Sequence, residues 1–459
     1  MKAEPVQIAV VGAGYVGLVS GACLAAKGHQ VRLLDLSEKV VESTNRGVSP
    51  FYEKNFNSLL CKVVKSGKLR AYSASVGALA DSKIVLICVG TPSNNGAIDL
   101  TQLGKAVDMI GTWLRSVDHF ASVVVKSTVL PGTTDSFVLS ILEQKSGKRH
   151  SAGDFGLGMN PEFLREGEAV EDFNKPDRII FGHEDRQTLA LLKKIYAPWK
   201  CDKLSVNART AEMIKYTNNC LLALQISAVN ELANISSAIG GIDFMDIIKG
   251  VSLDKRWNPF TQKGNRVNPG ILSYLIPGCG FGGSCFPKDV QAMRTCATLA
   301  GLQPRLLQAV LDVNEMQPIS ILAPLIEELG GDVTGKKFLL LGMAFKPGTD
   351  DIRESASLKI ARYLKQNGAE LYAHDPIAKA NTLKALEPGT IIAVDKWAVA
   401  LQECDAVIIA TRWPEYQKIK NYKKMLRQKS ILDCRQLFTA ADFPESRFFA
   451  VGKSPKKIQ

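Results

Sequence analysis

Short apolar runs punctuate the first two hundred residues, spaced so that a helix fits between one run and the next. Gln7–Val11, Val31–Asp35, Ile84–Val89, Val123–Ser127, Gly156–Asn160 and Arg178–Gly182 each read as a strand. Near-continuous apolar character belongs to strands buried on both faces of a parallel sheet, not to half-solvated strands, which alternate. Helical periodicity fills the gaps, which predicts a doubly wound α/β domain. The pattern then changes. Ala208–Ile239 holds no proline or glycine and stops at Gly240-Gly241, which predicts one long helix. At about 1.5 Å per residue it spans roughly 45–50 Å, enough to link domains and still offer a face to another subunit. A glycine- and proline-rich stretch, Asn258–Pro287, follows, and from Lys337 the alternation resumes with Phe338–Gly342, Glu370–His374, Ala406–Ala410 and Ile431–Asp433. The expected fold class is α/β, with two doubly wound domains joined by a central helical domain. The boundaries fall at 1–206, 207–318 and 319–459.

Composition narrows the class. A chain of 459 residues exceeds one ordinary core, and 46% hydrophobic with 22% charged residues is globular. No apolar run reaches bilayer length, and Met1–Gln7 enters a strand without the apolar region of a signal peptide, so neither a membrane span nor a leader is expected. The basic tail Lys453–Gln459 is expected to fray. Ten cysteines lie scattered with no CxxC pair, and there are five histidines, which predicts no metal site and a reducing, cytoplasmic setting. The formal charge of +12 points to anionic ligands. The basic residues are dispersed and no nucleic-acid motif occurs, so a small phosphorylated ligand is expected rather than nucleic acid.

Gly12-Ala13-Gly14-Tyr15-Val16-Gly17 follows the first strand and opens a helix. Gly12 permits the tight turn, Gly14 lets the backbone approach a pyrophosphate, and Gly17 lets helix and strand pack closely. Asp35 ends the second strand, where a carboxylate accepts from a ribose 2′-hydroxyl and repels a 2′-phosphate. That predicts NAD, not NADP. A glycine turn alone is weak evidence; strand, helix and terminal acid together make it specific. The segments around Thr91 and Thr128 end two further strands on the same sheet edge, the edge at which open α/β sheets bind ligands. Each taken alone is also consistent with an ordinary turn.

Four segments carry chemistry. Asn160–Gly167 crowds Glu162, Arg165 and Glu166 into a turn, which packing alone would also allow as a solvated cap. Lys215 and Asn219 share one face of the long helix. Apolar neighbours Met213, Ile214, Leu221 and Leu222 suggest that the helix is largely buried, and a buried cation beside an amide can stabilise an oxyanion. A snorkelling lysine is the plain alternative. Pro277–Asp289 sets Cys285 among glycines that bring the backbone close to a ligand. Lys288 and a helix start at Pro287 favour its thiolate, and Asp289 can act as a base or order a water. The alternative is a buried structural cysteine. Phe345–Ser355 offers Lys346 and Arg353 to phosphates, or forms a solvated loop.

These segments, in this order and spacing, closely resemble the UDP-glucose/GDP-mannose dehydrogenase family from Gln7 to about Phe438. The resemblance implies an N-terminal Rossmann-like NAD domain, a central helical dimerisation domain and a Rossmann-like C-terminal domain for the sugar nucleotide. It implies oxidation of the C6 alcohol of UDP-glucose to UDP-glucuronate in two hydride transfers by a homodimer. Cys285 attacks the C6 aldehyde to give a thiohemiacetal and then a thioester. Lys215 and Asn219 hold the C6 oxygen, Thr128 and Asp289 position a water, and Glu162 assists thioester hydrolysis. Gly12, Gly14, Tyr15, Val16, Gly17, Asp35, Lys39, Thr91, Thr128, Glu166 and Arg353 contact NAD. The loop Tyr274–Gly282, including Gly278, contacts the sugar nucleotide with Glu162, Phe163, Leu164, Lys346 and Arg435. Chemistry agrees independently: oxidising an alcohol to an acid passes through an aldehyde, which a thiol traps so that a second hydride can leave.

One departure concerns the hexose. Many family members have an Arg-Ile-Gly just before an aromatic-Leu pair; here Arg266 is displaced relative to Tyr274-Leu275. UDP-N-acetylhexosamine and GDP-mannose therefore stand as alternative substrates. A two-electron dehydrogenase of the 6-phosphogluconate type, indifferent to Cys285, and a nucleotide-sensing protein on an inactive dehydrogenase fold are the rival functions.

Overall fold

Two parallel-rich sheets account for the apolar runs. The computed structural model describes residues 4–94 and 96–453, so the tail beyond Lys453, expected to fray, lies outside the described residues. The chain divides into two compact units, Met1–Asn218 and Asn219–Gln459. In the first unit the strands are β1 (Gln7–Val11), β2 (Gln30–Asp35), β3 (Leu69–Ser73) and β4 (Ile84–Ile87), then a small hairpin of β5 (Ser93–Asn94) and β6 (Ala97–Ile98). They continue with β7 (Ser122–Val125), β8 (Gly156–Met159), β9 (Arg178–His183) and β10 (Asp202–Val206). The main sheet runs β10-β9-β8-β7-β4-β1-β2-β3. Ile84, Val85, Leu86 and Ile87 are each 0% exposed, the two-sided burial that the unbroken apolar runs announced.

The sheet is not wholly parallel. β9 runs antiparallel to β8, and β10 then runs parallel to β9. The sequence pattern does not show direction, and it misses β3 and β10, whose residues alternate or lie largely in solvent.

In the second unit β11 (Lys337–Leu341), β12 (Glu370–His374), β13 (Ile392–Ala393), β14 (Ala406–Ile409), β15 (Ser430–Asp433) and β16 (Arg447–Ala450) form an all-parallel sheet in the order β13-β12-β11-β14-β15-β16. Numbered within its own sheet, that is the 3-2-1-4-5-6 order of a dinucleotide-binding fold. The first sheet repeats it from β3 through β8. Two doubly wound α/β domains are therefore present, and each has its switch point between its first and fourth main strands.

The helix Ala208–Ile239 forms over all 32 expected residues. Asn207 Oδ1 caps it by accepting from Thr210 N–H at 2.8 Å, and Gly240 and Gly241 end it in left-handed conformations, φ +79° and +71°. The division between the two units falls inside this helix. It is less buried than its apolar residues suggested. Lys215 and Tyr216 are 4% and 0% exposed, but Met213 and Leu221 are 44% and 61% exposed.

Gly342 turns the chain out of β11 at φ +95°, and a Cβ there would sit 2.3 Å from Thr411 Cβ and 2.9 Å from its backbone nitrogen. Gly389 has a similar φ, +82°, but open space around it. Alanine at either position costs about 1–2 kcal/mol from φ alone. At Gly342 overpacking adds about 1–3 kcal/mol. Thermal unfolding should therefore show Gly342→Ala melting clearly below Gly389→Ala; equal melting temperatures would contradict the packing argument.

Candidate active site

In the first unit, the turn after β1 is built as the glycine spacing predicts. Gly12 adopts φ +100°, and a Cβ on it would meet the Cys88 carbonyl at 2.8 Å. A Cβ on Gly17 would lie 1.9 Å from Gly12 O. Gly14 is different: it has nothing within 4 Å of the missing Cβ. It also caps the helix Tyr15–Ala26. Open space against a helix N-terminus suits a pyrophosphate, so the residues present fit a dinucleotide. Asp35 Oδ2 accepts from Ala13 N–H at 2.7 Å and Oδ1 from Ser37 N–H at 2.9 Å. The carboxylate is thus aimed at the glycine turn, with lone pairs enough for ribose hydroxyls. Lys39 is exposed at the start of the helix Glu38–Asn45.

The ends of β4 and β7 are tied together: Thr91 Oγ1 donates to Thr128 O at 2.7 Å, and Ser127 Oγ donates to Val89 O at 2.7 Å. Thr91 is buried and Thr128 half-buried. Both line the carboxyl end of the sheet, near the Gly12 turn.

The turn after β8 is buried at its start, Asn160–Glu162, and opens to solvent at Arg165. Glu162 is 7% exposed, and its Oε1 pairs with Lys215 Nζ at 3.0 Å. Its Oε2 accepts from Leu164 N–H at 2.6 Å. Burial works to raise the Glu162 carboxyl, yet the charge and hydrogen bond of Lys215, helped by Leu164 N–H and Lys126, hold it below the usual carboxylate range. It is an anion at neutral pH. Phe163 offers its ring face to Arg178 at 4.0 Å and to Lys215 at 5.5 Å. Lys215 is thus not a snorkelling lysine.

Lys126 supports this turn, and Glu212 supports the loop after β7. Lys126, at the buried end of β7, donates to Asn160 Oδ1 at 2.9 Å and Asn160 O at 3.2 Å. Burial pushes its ammonium down to about 8. Glu212, one helical turn before Lys215 and 0% exposed, accepts from Gly132 N–H at 2.7 Å, Thr134 N–H at 2.9 Å and Thr134 Oγ1 at 2.6 Å. It ties the lysine's helix to the loop that follows Thr128. Burial pushes its carboxyl up to about 7. The i, i+3 spacing of Glu212 and Lys215 was visible in the sequence; the buried lysine at a strand end was visible too.

The second unit holds the cysteine. Cys285 caps the helix Phe286–Leu299, with Pro287 in its first turn, so the thiol stands at a helix N-terminus where a thiolate is favoured. Ser284 Oγ lies 3.6 Å from Sγ. Asp289, 1% exposed, accepts from Asn219 Nδ2 at 2.6 Å and pairs with Lys288 Nζ at 2.7 Å. Lys288 therefore answers Asp289, a partner the sequence did not suggest.

The glycines before Cys285 face protein on the side where a Cβ would stand. A Cβ on Gly278 would meet Cys434 O at 3.0 Å, on Gly280 Asn314 Oδ1 at 2.5 Å, on Gly282 Glu354 O at 2.3 Å, and on Gly283 the Phe345 ring at 2.8 Å. What they admit is protein. Asn314 brackets Phe281, accepting from its N–H at 2.7 Å and donating to its carbonyl at 3.0 Å, and Asn230 and Gln317 do the same for Gly278. Arg435 reaches Gly280 O at 3.3 Å, Phe345 O at 3.4 Å and Ala410 O at 2.8 Å. Loop, β11 end and β14 end are thereby joined, with Lys346 over the Phe345 ring at 5.8 Å. Tyr274 is half-buried in a short helical turn, Gly270–Leu275. Arg353 forks onto Asp351 at 2.9 Å through Nε and Nη2. Arg266 donates to Asn258 O at 2.6 Å and Leu253 O at 2.7 Å within its own segment.

The second domain does not repeat the ribose device. Asp375 follows β12 as Asp35 ends β2, but its carboxylate already accepts from Met343, Ala344, Ile377 and Ala378 N–H and from Trp413 Nε1. Its acceptor sites are spent on the protein.

Models of the UDP-glucose/GDP-mannose dehydrogenase family match three consecutive stretches: the NAD binding domain over residues 6–200, the central domain over 209–316 and the UDP binding domain over 339–440. UDP-glucose 6-dehydrogenase AglM of Haloferax volcanii is 36% identical over 439 residues, covering 94% of this chain and 97% of that protein. The solved structure of a UDP-glucose dehydrogenase from Pyrobaculum islandicum matches with a TM-score of 0.88 and 35% identity, covering 98% and 99% of the two chains. A UDP-D-ManNAc dehydrogenase from Pyrococcus horikoshii matches with a TM-score of 0.83 and 26% identity, over 98% and 99%.

The Asp35 geometry gives a direct test. Catalytic efficiency with NAD should exceed that with NADP by about tenfold or more, because a 2′-phosphate would face the carboxylate. Equal efficiency with the two cofactors would contradict this assignment.

Proposed function

The chain belongs to the UDP-glucose/GDP-mannose dehydrogenase family, and we propose that it oxidises the C6 alcohol of UDP-glucose to the carboxylate of UDP-glucuronate, with Cys285 as covalent nucleophile. The observation that carries this reading is the pairing along one helix: Lys215 with Glu162, and one turn later Asn219 with Asp289.

NAD, bound at the Gly12–Gly17 turn, supplies the acceptor for each hydride. The protein's side chains do the rest. As the C6 hydroxyl passes its proton to a water, negative charge gathers on the oxygen, and it is discharged when the hydride leaves for NAD. Lys215 brings three N–H donors and Asn219 two, enough to serve a carboxylate and a substrate oxygen together. The Cys285 thiolate adds to the aldehyde carbon, forming a C–S bond while the carbonyl oxygen takes a proton to give the thiohemiacetal. Loss of a second hydride from that carbon, and of the hydroxyl proton, leaves a thioester. Glu162, kept anionic by Lys215, accepts a hydrogen bond from the hydrolytic water; Thr128 and Asp289, by the family resemblance, position a water that takes part in proton transfer. Addition of that water and cleavage of the C–S bond release the carboxylate and restore the thiolate.

The exposed apolar residues Leu221, Leu232, Ile235 and Ile239 recur along one stripe of the long helix and support a homodimer through that face. Ten cysteines without a disulfide support a reducing cytoplasm. Among the described residues no helix is long and apolar enough to cross a membrane. A second substrate reading, a UDP-N-acetylhexosamine or GDP-mannose, is favoured by Arg266, whose guanidinium is committed to Asn258 and Leu253.

At limiting UDP-glucose the wild-type chain should yield two NADH per sugar, with no aldehyde captured by a trapping reagent. Cys285→Ser should stop turnover while retaining NAD binding, because a hydroxyl is a far weaker nucleophile. One NADH per sugar, or wild-type turnover by the serine variant, would overturn the mechanism. Turnover restricted to another sugar nucleotide would move the substrate alone.

A further inference from the structure

The cofactor turn rests on a carboxylate that no sequence motif marks. Glu53 lies in the loop between the helices Glu38–Asn45 and Phe56–Lys65, and only 7% of it is exposed. Its Oε2 accepts from the Tyr15 hydroxyl and from Gly167 N–H at 2.8 Å; the same N–H reaches the Tyr15 oxygen at 3.0 Å. Tyr15 is the first residue of its helix, directly after Gly14, and its ring packs on Phe51 with centroids 4.8 Å apart. Gly167, in a left-handed conformation at φ +84°, closes the segment that carries Glu162, Phe163, Leu164 and Glu166. One buried oxygen thus joins two segments that lie 152 residues apart in sequence.

We propose that Glu53 is a positioning residue for NAD: through Tyr15 it fixes the helix start that receives the pyrophosphate, and through Gly167 it holds the Glu162–Gly167 segment against that turn. Glu53 acts through these two groups. A charged acceptor makes both hydrogen bonds stronger than neutral ones. Burial, with the Glu53 charge, raises the Tyr15 phenol well above its ordinary value, so it stays a donor at every working pH. Without Glu53, the Tyr15 hydroxyl and Gly167 N–H are left to each other. The ring then keeps its Phe51 contact but loses the anchor that sets its height over Gly14. Both donors converge on a single oxygen, so a glutamine amide oxygen can replace it, whereas alanine cannot.

The test is titration calorimetry of NAD against the full chain, without sugar, at a temperature at which every variant is folded. UDP, whose family domain lies in the other unit and which lacks the sugar that the Glu162–Leu164 segment would meet, serves as the control ligand. Glu53→Ala should weaken NAD about tenfold. Glu53→Gln should stay within about threefold of wild type. Tyr15→Phe should weaken NAD as Glu53→Ala does, and the double variant should be little worse than either single one. UDP affinity should not change in any of them. Unchanged NAD affinity in folded Glu53→Ala, fully additive single effects, or parallel loss of NAD and UDP binding would each overturn the proposal.

Discussion

A buried ion pair between Lys215 and Glu162 sets the terms for the candidate site. Both side chains are almost wholly out of water and 3.0 Å apart. Removing either partner would strand the other charge, a loss of about 3–5 kcal/mol, so each dictates the place of the other. The pair fastens the long helix to the turn after β8. Glu212 fastens the same helix to the loop after β7, and Asn219 holds Asp289. Positions 212 and 215 lie about one turn apart, so within the first unit one helix braces both the turn after β8 and the loop after β7.

The glycines divide into two kinds. In the first domain Gly12 and Gly17 let the chain pack against itself, while Gly14 faces open space at a helix start, where a pyrophosphate fits. In the cysteine loop the glycines all give way to protein: Asn314, Glu354, Phe345 and Cys434 occupy the space. The loop is therefore a tightly held shelf. Amides from Asn230, Asn314 and Gln317 satisfy the backbone groups of Gly278 and Phe281, and the chain reaches the helix N-terminus at Cys285 already ordered.

Much of this was legible in the sequence, and what was not has physical causes. Buried parallel strands announce themselves as apolar runs, so the two sheets, the long helix and the glycine turn were readable. β10 was not, because its residues are mostly exposed; the short β16 was passed over although buried; and the direction of β9 was not readable, because direction leaves no mark on side-chain periodicity. Cys285, Lys215, Asn219 and Glu162 stood out through residue type and spacing. Their partners were harder to see. Glu53 meets Gly167 across a hundred residues, and Glu212 reads as one more charge on a helix until its three donors are seen. Met213 and Leu221 misled, because apolar residues on an exposed stripe look like core in one dimension.

The central claim is that the substrate carbon becomes bonded to Cys285. Rapid quenching in acid during turnover of NAD and UDP-glucose, followed by intact mass and peptide analysis, tests it most directly. A hydroxylamine-sensitive adduct of the sugar nucleotide is expected on the peptide containing Cys285, and more of it when Glu162→Gln slows hydrolysis. Steady turnover with the Cys285 peptide unmodified at every quench time, in both the wild-type chain and the Glu162→Gln variant, would contradict it.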